Sequence, residues 1–436
     1  MSILSKEEAQ AILKKALSFS KADECTVTIG GSEGGNIRYA RNAVSTAGDV
    51  SNLSLGVSSA FGKRVGAATI NEFDDASLEK VVRRAEELAR VSPENPEYMP
   101  LLGPQTFKES VTFNDATAAI SASKRAEDVE KSLKVSKDAK LEAAGYLENS
   151  ADFNAMMNSK GLFGYNKGTD VTFSVTVRNQ AGTGSGYVSK SYNDNAKLDT
   201  QALTKIAASK ANASVGARAI EPGKYTVILE PMAVSDLLGT MGYDARSADE
   251  GRSYLSKKGG GTRLGEKLFD EKVTIYSDPF HPDLPFAPFT GDGRAQKRTT
   301  WVEKGVVKQL AYSRYWAQQK GVEPVPGANR LIMEGGTSSI QDMIKNTEKG
   351  ILVTRFWYIR FVDPQTMLLT GLTRDGTFYI ENGKVTFPIK NFRFNESPVI
   401  MLNNVEEMGR PERTENMIVP PLKISDFTFT SLSDAV

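Results

Sequence analysis

Runs of alternating apolar and polar residues, joined by tight-turn signals, recur through most of this chain. Alternation with period two puts every second side chain on one face, so such runs bury their apolar face by pairing into sheets. TVTIG (26–30), the stretch around NIRYARN (36–42) and SNLSLGVSSAFGKRVGAAT (51–69) have this form, with Gly62-Lys63 as a hairpin turn. Helical signals bracket them. Ser5 and Glu8 stand in capping-box spacing before Ala9, Ile12, Leu13, Ala16 and Leu17, and Asp75 precedes the stripe Leu78, Val81, Val82, Ala85, Leu88 and Ala89. The predicted order is helix, strands, helix.

Residues 91–104 (VSPENPEYMPLLGP) are Pro-rich without periodicity and read as an extended connection. Beyond them Ala119, Ala122, Ala126, Val129 and Leu133 predict a helix, and strands are expected near 140–148 and over 153–167. A shift of 120 residues lays Leu53, Leu55 and Val57 on Phe173, Val175 and Val177, and Gly62 and Gly66 on Gly182 and Gly186. After a slip of five more, Leu78 meets Leu203 at the head of a helix over 201–214. Two readings stay open: an internal repeat, or two unrelated strand–turn–strand units.

From EPGKYTVILEP (221–231) strands dominate. Tyr225, Val227 and Leu229 alternate, and a single helix is expected over 232–244. Strands follow at 273–277, at 298–313 around a Glu303-Lys304-Gly305 turn, at 350–362, at 377–389 around Asn382-Gly383, at 399–405 and at 422–429. The expected fold is α+β. An N-terminal α/β domain (1–220, as modules 1–100 and 105–220) precedes a mainly antiparallel, barrel-like β domain (221–436), with the boundary near Pro222-Gly223.

At ~150 residues per domain, 436 residues suit two or three domains. No window approaches the ~18 unbroken apolar residues of a membrane span, and the N-terminus offers no continuous apolar h-region, so a cytoplasmic protein away from membranes is expected. Fifty-four basic against fifty-three acidic residues leave a charge of +1, which argues against nucleic acid as a partner. The lone cysteine, Cys25, fits a reducing compartment and reads as a buried structural thiol. The lone histidine, His281, rules out any site within one chain that needs two imidazoles.

His281 lies between prolines in SDPFHPDLPFAPF and reads as a loop histidine; no GxSxG elbow accompanies it. The glycine clusters GGSEGG (30–35) and KGGG (258–261) lack phosphate-loop spacing and read as loops. Asp74-Asp75 reads as a helix cap, and RFWYIRF (355–361) as a strand with one buried and one exposed face. An autonomous amide hydrolase would draw on His281, Asp283 and Asp292 in the Pro/Gly-rich loop, which are the cavity candidates.

Taken from end to end, the chain resembles the TldD/TldE group, in which TldE is also called PmbA. NIRYARNAVSTAGDVSNLSLGV, FGKRVGAAT, EPGKYTVILEPMAVSDLL, RTTWVEKGVVKQLAYSRYWAQQKG and GTFYIENGKVTFPI carry the resemblance in their order along the chain. The group is known for modulators of DNA gyrase and is linked to peptide maturation. The resemblance implies that TldD-type members are zinc peptidases whose HExxxH helix and a later cysteine hold the metal. Here the corresponding helix, MAVSDLLGTMGYD, has neither histidine nor glutamate, and Cys25 lies far upstream. None of the family's metal residues carries over, so no cofactor and no catalytic residue is expected. The resemblance thus points to a TldE/PmbA-type subunit that pairs with a TldD-type metallopeptidase, or with a second copy of itself. Its substrate would be an extended peptide, which a β-domain can bind as an added strand. A binding module regulating a topoisomerase is the remaining alternative.

Overall fold

The computed structural model describes residues 3–433. Helix α1 (Lys6–Ser18) starts at the expected capping box: the Glu8 N–H donates to Ser5 Oγ at 3.2 Å, and the Ser5 N–H to Glu8 Oε2 at 2.8 Å. Strands β1 (Glu24–Ala40), β2 (Ala43–Phe61) and β3 (Arg64–Ile70) form a meander, and α2 (Asp75–Val91) is capped by Asp74. The β1–β2 turn is Arg41-Asn42, at φ of 50° and 59°. GGSEGG is not a loop. It is the middle of β1, paired with β2 on one side and with the strand 142–158 on the other. Backbone pairing on both edges satisfies the ladder there, and glycine's weak strand propensity loses to it.

The short α3 (Asp115–Ala118) and α4 (Ala122–Asp138) precede β4 (Glu142–Asn158), β5 (Phe163–Arg178), β6 (Ser185–Tyr192) and α5 (Thr200–Ala213). The strand expected over 153–167 is two strands, with a turn through Gly161 at φ 89°. The α4 helix forms as expected but rolls. Arg125, Val129, Ser132, Leu133 and Ser136 are buried, whereas Ala122 and Ala126 are exposed. Arg125 is drawn in because Asp49 and Asn149 both accept from its guanidinium.

These six strands make one sheet in the order β3-β2-β1-β4-β5-β6. The succession helix, three strands, helix occurs twice, and the two halves meet at the β1–β4 pair. Gly66 and Gly186, matched by the 120-residue shift, do the same job in each half. A Cβ at Gly66 would lie 2.1 Å from the Ala89 nitrogen of α2, and one at Gly186 would lie 2.0 Å from the Ala207 oxygen of α5. One face of each half is apolar. Leu13, Val27, Leu55 and Val82 belong to the first core, and Val129, Phe173, Val177 and Ala207 to the second.

From β7 (Gly223–Leu229) the chain passes into α6 (Pro231–Leu238) and α7 (Ala245–Asp249), then β8 (Ile275–Ser277), β9 (Thr299–Glu303) and β10 (Val306–Val307). Next come α8 (Arg314–Lys320), β11 (Leu331–Met333), α9 (Ile340–Lys345), β12 (Lys349–Asp363), β13 (Leu368–Glu381), β14 (Lys384–Pro388) and β15 (Phe392–Glu396). The last elements are α10 (Pro398–Asn403), β16 (Val405–Met408), β17 (Glu412–Arg413), β18 (Ile418–Val419) and β19 (Leu422–Leu432). Strands β12-β7-β19-β15-β13 close into a five-stranded barrel through the β12–β13 pair. All its pairings are antiparallel except β7–β12. A smaller sheet, β10-β9-β8-β11-β18-β17, stands beside it. The fold is therefore α+β, with the barrel-like region expected.

Three readings of this region are corrected. The helix after β7 stops at Leu238, and α7 to α10 add short helices to the single one expected. VIMLNNV is not a strand: Ser397 caps and Pro398 opens α10, a start signal that overrides the β-branched residues after it. RFWYIRF does not alternate strictly, because Tyr358 at φ 55° marks a bulge, and Trp357, Tyr358, Phe361 and Val362 are all exposed. The Asn382-Gly383 and Lys304-Gly305 turns form as read, both with positive φ.

Candidate functional site

The edge strand β6 runs along the barrel, and charged and hydroxyl side chains from both sides meet in the seam. On β6, Val188 and Tyr192 lean toward the helices, which leaves Ser185, Tyr187 and Ser189 on the opposite face. The Ser185 hydroxyl donates to Asp375 on β13, and the Ser189 hydroxyl donates to Glu415. The Lys190 ammonium donates to the Arg413 carbonyl and stands 3.8 Å from Glu412. Burial draws the Lys190 ammonium below its ordinary value, although Glu412 opposes this. Nearby, Lys210 on α5 pairs with Glu230 at the start of α6, and Ser235 shares a 3.1 Å hydrogen bond with Thr414.

Two of the three irregularities in the β12–β13 pair aim the barrel's share of these groups. Between Val353↔Thr377 and Arg355↔Arg374 the β13 strand carries an extra residue, with Asp375 at φ 56° and Gly376 at φ 123°. That bulge turns the fully buried Asp375 carboxylate onto Arg355, whose Nε and Nη2 lie 2.7 and 2.6 Å from Oδ2. The second bulge, at Tyr358, follows Trp357↔Leu372. Bulges of this kind re-aim side chains at barrel rims. A cavity of about 470 Å³ opens on the seam and is lined by Ser185, Asp375, Thr377 and Asn391, among others.

Asp236 sits in α6 among buried Ala233, Val234, Leu237 and Leu238. Protein surrounds it, yet part of its surface stays reachable, as for a side chain at the floor of a cleft. Burial pushes its carboxyl up to about 7, against the Phe356 N–H that donates at 2.9 Å and the charge of Arg355, while Glu415 adds to the rise. Such a group holds or releases a proton near neutral pH.

The three residues singled out from the sequence lie at the margin of the seam or away from it. Asp283 is exposed, and Lys197 at 2.7 Å holds its carboxyl below the usual range. Its N–H donates to His281 Nδ1 at 3.2 Å, and its carbonyl accepts from Arg413, the one link to the seam. Asp292 is on a separate turn. Burial would raise its carboxyl, but hydrogen bonds from Thr290 and Arg294 outweigh this and hold it low. Sequence reasoning missed Asp236, Arg355, Arg374 and Asp375. An aspartate inside the apolar run AVSDLL, and Asp375-Gly376 inside a strand, were the available signals.

Comparison with known proteins adds a lineage to this geometry. Residues 26–89, 109–215 and 222–431 match the PmbA/TldA metallopeptidase domain 1, central domain and C-terminal domain. The chain belongs to the PmbA/TldD family. An uncharacterized protein of Methanocaldococcus jannaschii is 24% identical over 369 residues, 80% of this chain and 83% of that protein. A metalloprotease of Archaeoglobus fulgidus is 28% identical over 162 residues, 34% of this chain and 37% of that one. The crystal structure of TldE from Thermococcus kodakarensis has the same fold, with a TM-score of 0.85 at 19% identity, covering 97% of this chain and 99% of that one.

For a PmbA/TldD metallopeptidase fold the donor set is decisive, and here it does not fit zinc. Among the described residues no group of three or more His, Cys, Asp or Glu side chains could hold a metal ion. A catalytic zinc takes three such ligands. Cys25 is enclosed in the first core beside Ser59, and burial raises its thiol. In α6, where the resemblance places the metal-binding helix, the ionisable side chain is Asp236.

Proposed function

We propose that this chain is a non-catalytic, TldE/PmbA-like subunit that works with a TldD-type zinc metallopeptidase, helping to bind unfolded or extended peptides that the partner cleaves. The observation that carries this reading is α6: in a metallopeptidase fold, the helix after β7 offers Asp236 in a hydrogen-bonded seam and, among the described residues, no set of metal donors around it. The division into residues 1–220 and 221–436 belongs to the same proposal, with the first unit lending the β6 edge and the second the barrel wall. So do a cytoplasmic setting and self-association when the partner is absent. Among the described residues no helix is long and apolar enough to cross a membrane.

An independent hydrolase built on Asp283 and Asp292 finds little support, since both carboxyls are held as ion-paired anions rather than raised toward a general acid. The test is direct. The purified chain is assayed for zinc and for cleavage of an unstructured peptide, alone and mixed with a TldD-type peptidase. Without the partner, neither bound zinc nor cleavage is expected, and with it cleavage should appear or rise. Stoichiometric zinc with solo cleavage would overturn the proposal.

A further inference from the structure

Strand β5 has a strand neighbour on only one side over its first half. There β4 pairs with it from Phe163 to Arg178, whereas on the other side β6 reaches only Val171–Arg178. The remaining edge faces the segment 102–112, which runs beside it without joining the sheet. Thr112 pins one end of that segment: the Thr169 N–H donates to the Thr112 carbonyl at 3.0 Å, and the Thr112 hydroxyl donates to the Lys167 carbonyl at 2.6 Å. At the other end Asn158 Nδ2 donates to the Leu102 carbonyl at 2.9 Å. Between the two pins the segment stands off as a strap, and a cavity of about 780 Å³ separates it from β5.

Both walls of this slot carry unpaired backbone groups. Residues two apart in a strand point the same way, so the edge that Lys167 and Thr169 show to Thr112 also presents the N–H and C=O of Tyr165 and the N–H of Lys167. Among the described residues none of these three groups has a hydrogen-bond partner. On the opposite wall the same holds for the backbone N–H and C=O groups from Gln105 to Glu109. An open edge of this kind is a template for another strand. The strap limits what can enter, because a sheet from a second copy needs room for its own neighbouring strands and a single extended chain does not. Phe107, Phe113, Phe163 and Tyr165 give the slot apolar walls, and Lys6, Lys108 and Lys167 outnumber Glu109 and Asp115 around it. That surplus of positive charge favours an acidic occupant.

We propose that the slot takes one extended peptide bearing acidic side chains, added as a strand to the open edge of β5 and covered by the strap. This rests on the function proposed above and names a place on this chain where the substrate peptide is held. The test uses the full chain alone and needs neither zinc nor cleavage. A fluorescent unstructured peptide containing glutamate is titrated beside the same sequence with alternate backbone amides N-methylated. Methylation keeps the side chains and removes ladder donors, so binding should weaken about tenfold, the net effect of one or two hydrogen bonds. Exchanging its glutamates for glutamine should weaken binding about threefold, and more at low salt. Hydrogen–deuterium exchange locates the strand: the Tyr165 and Lys167 amides should exchange freely in the chain alone and become protected when the peptide is added.

Equal binding of the methylated peptide, binding without protection at Tyr165 and Lys167, or no binding at all would overturn the site. So would protection of that edge on raising the chain concentration with no peptide present, which assigns it to a second copy. Binding and protection as expected, in a chain that never assists a partner peptidase, would leave the site standing and sink only the proposed function.

Discussion

The two halves of the six-stranded sheet share one plan and differ in what their outer strands face. Aligned by the 120-residue shift, Val65, Ala67 and Thr69 of β3 correspond to Ser185, Tyr187 and Ser189 of β6. In the first half these positions are exposed or half-buried, and no barrel covers them. In the second half Ser185 and Ser189 are buried: a hydroxyl replaces the valine at 185, Ser189 keeps the hydroxyl of Thr69, and both face carboxylates. The helix-facing positions tell the opposite story: glycine stands at both 66 and 186 because a helix backbone presses on each. Positions that make the fold are shared, and positions that make the seam are particular to one half.

The largest test of that equivalence is steric. Gly66→Val and Gly186→Val should each cost about 3 kcal/mol or more, because the obstructing atoms are helix backbone and yield poorly. Similar losses in denaturant midpoint would support equivalent roles, and a strongly unequal pair would break the analogy. Next in size is Asp236→Asn, which has no counterpart in the first half. The folded carboxyl titrates near 7, above its ordinary value, so between about pH 4 and pH 7 the folded state binds more protons than the unfolded one. Stability attributable to Asp236 should therefore fall as pH rises through that window. A shift of that size sets a ceiling of about 4 kcal/mol, and partial access to solvent brings the expected change to about 2 kcal/mol. The variant should flatten this dependence. Burial also raises Asp152 and Glu396, so the readout is the difference between variant and parent across pH.

Ser185→Val installs the first half's residue in the second. It removes a donor from the buried Asp375, and a loss of about 1–2 kcal/mol is expected in thermal unfolding. The reciprocal Val65→Ser should matter less, since no carboxylate waits there. The smallest effect belongs to Asp283→Asn, which breaks an exposed pair with Lys197. A change below about 0.5 kcal/mol is expected, and a larger one would mean that the loop contributes more to the seam than its contacts imply.

Much of the fold was legible because its signals are local. The Ser5–Glu8 box, the Asp74 cap and the Asn382-Gly383 turn each specify geometry within four residues, and each formed as read. The misreadings came where a distant partner outvoted local preference. GGSEGG became strand because β2 and β4 flank it, and α4 rolled because Asp49 and Asn149 draw Arg125 inward. The seam was far less legible. His281, Asp283 and Asp292 attracted notice as rare or clustered residues in a loop, yet it is Asp375 that is buried and Asp236 that stands half-buried beside the seam.

By itself the sequence determined the inventory: one imidazole and one thiol, too few for a zinc site of the family's kind, and a period that shifts from paired helix–strand units to hairpins. Only the tertiary structure decided which side chains meet. Ser185 and Asp375 are 190 positions apart, and Arg355 faces Arg374 because the bulge at Asp375-Gly376 shifts the β12–β13 register there. Composition and periodicity act through neighbours along the chain. Contact between remote strands depends on sheet order and register, which are settled only when the whole core packs at once.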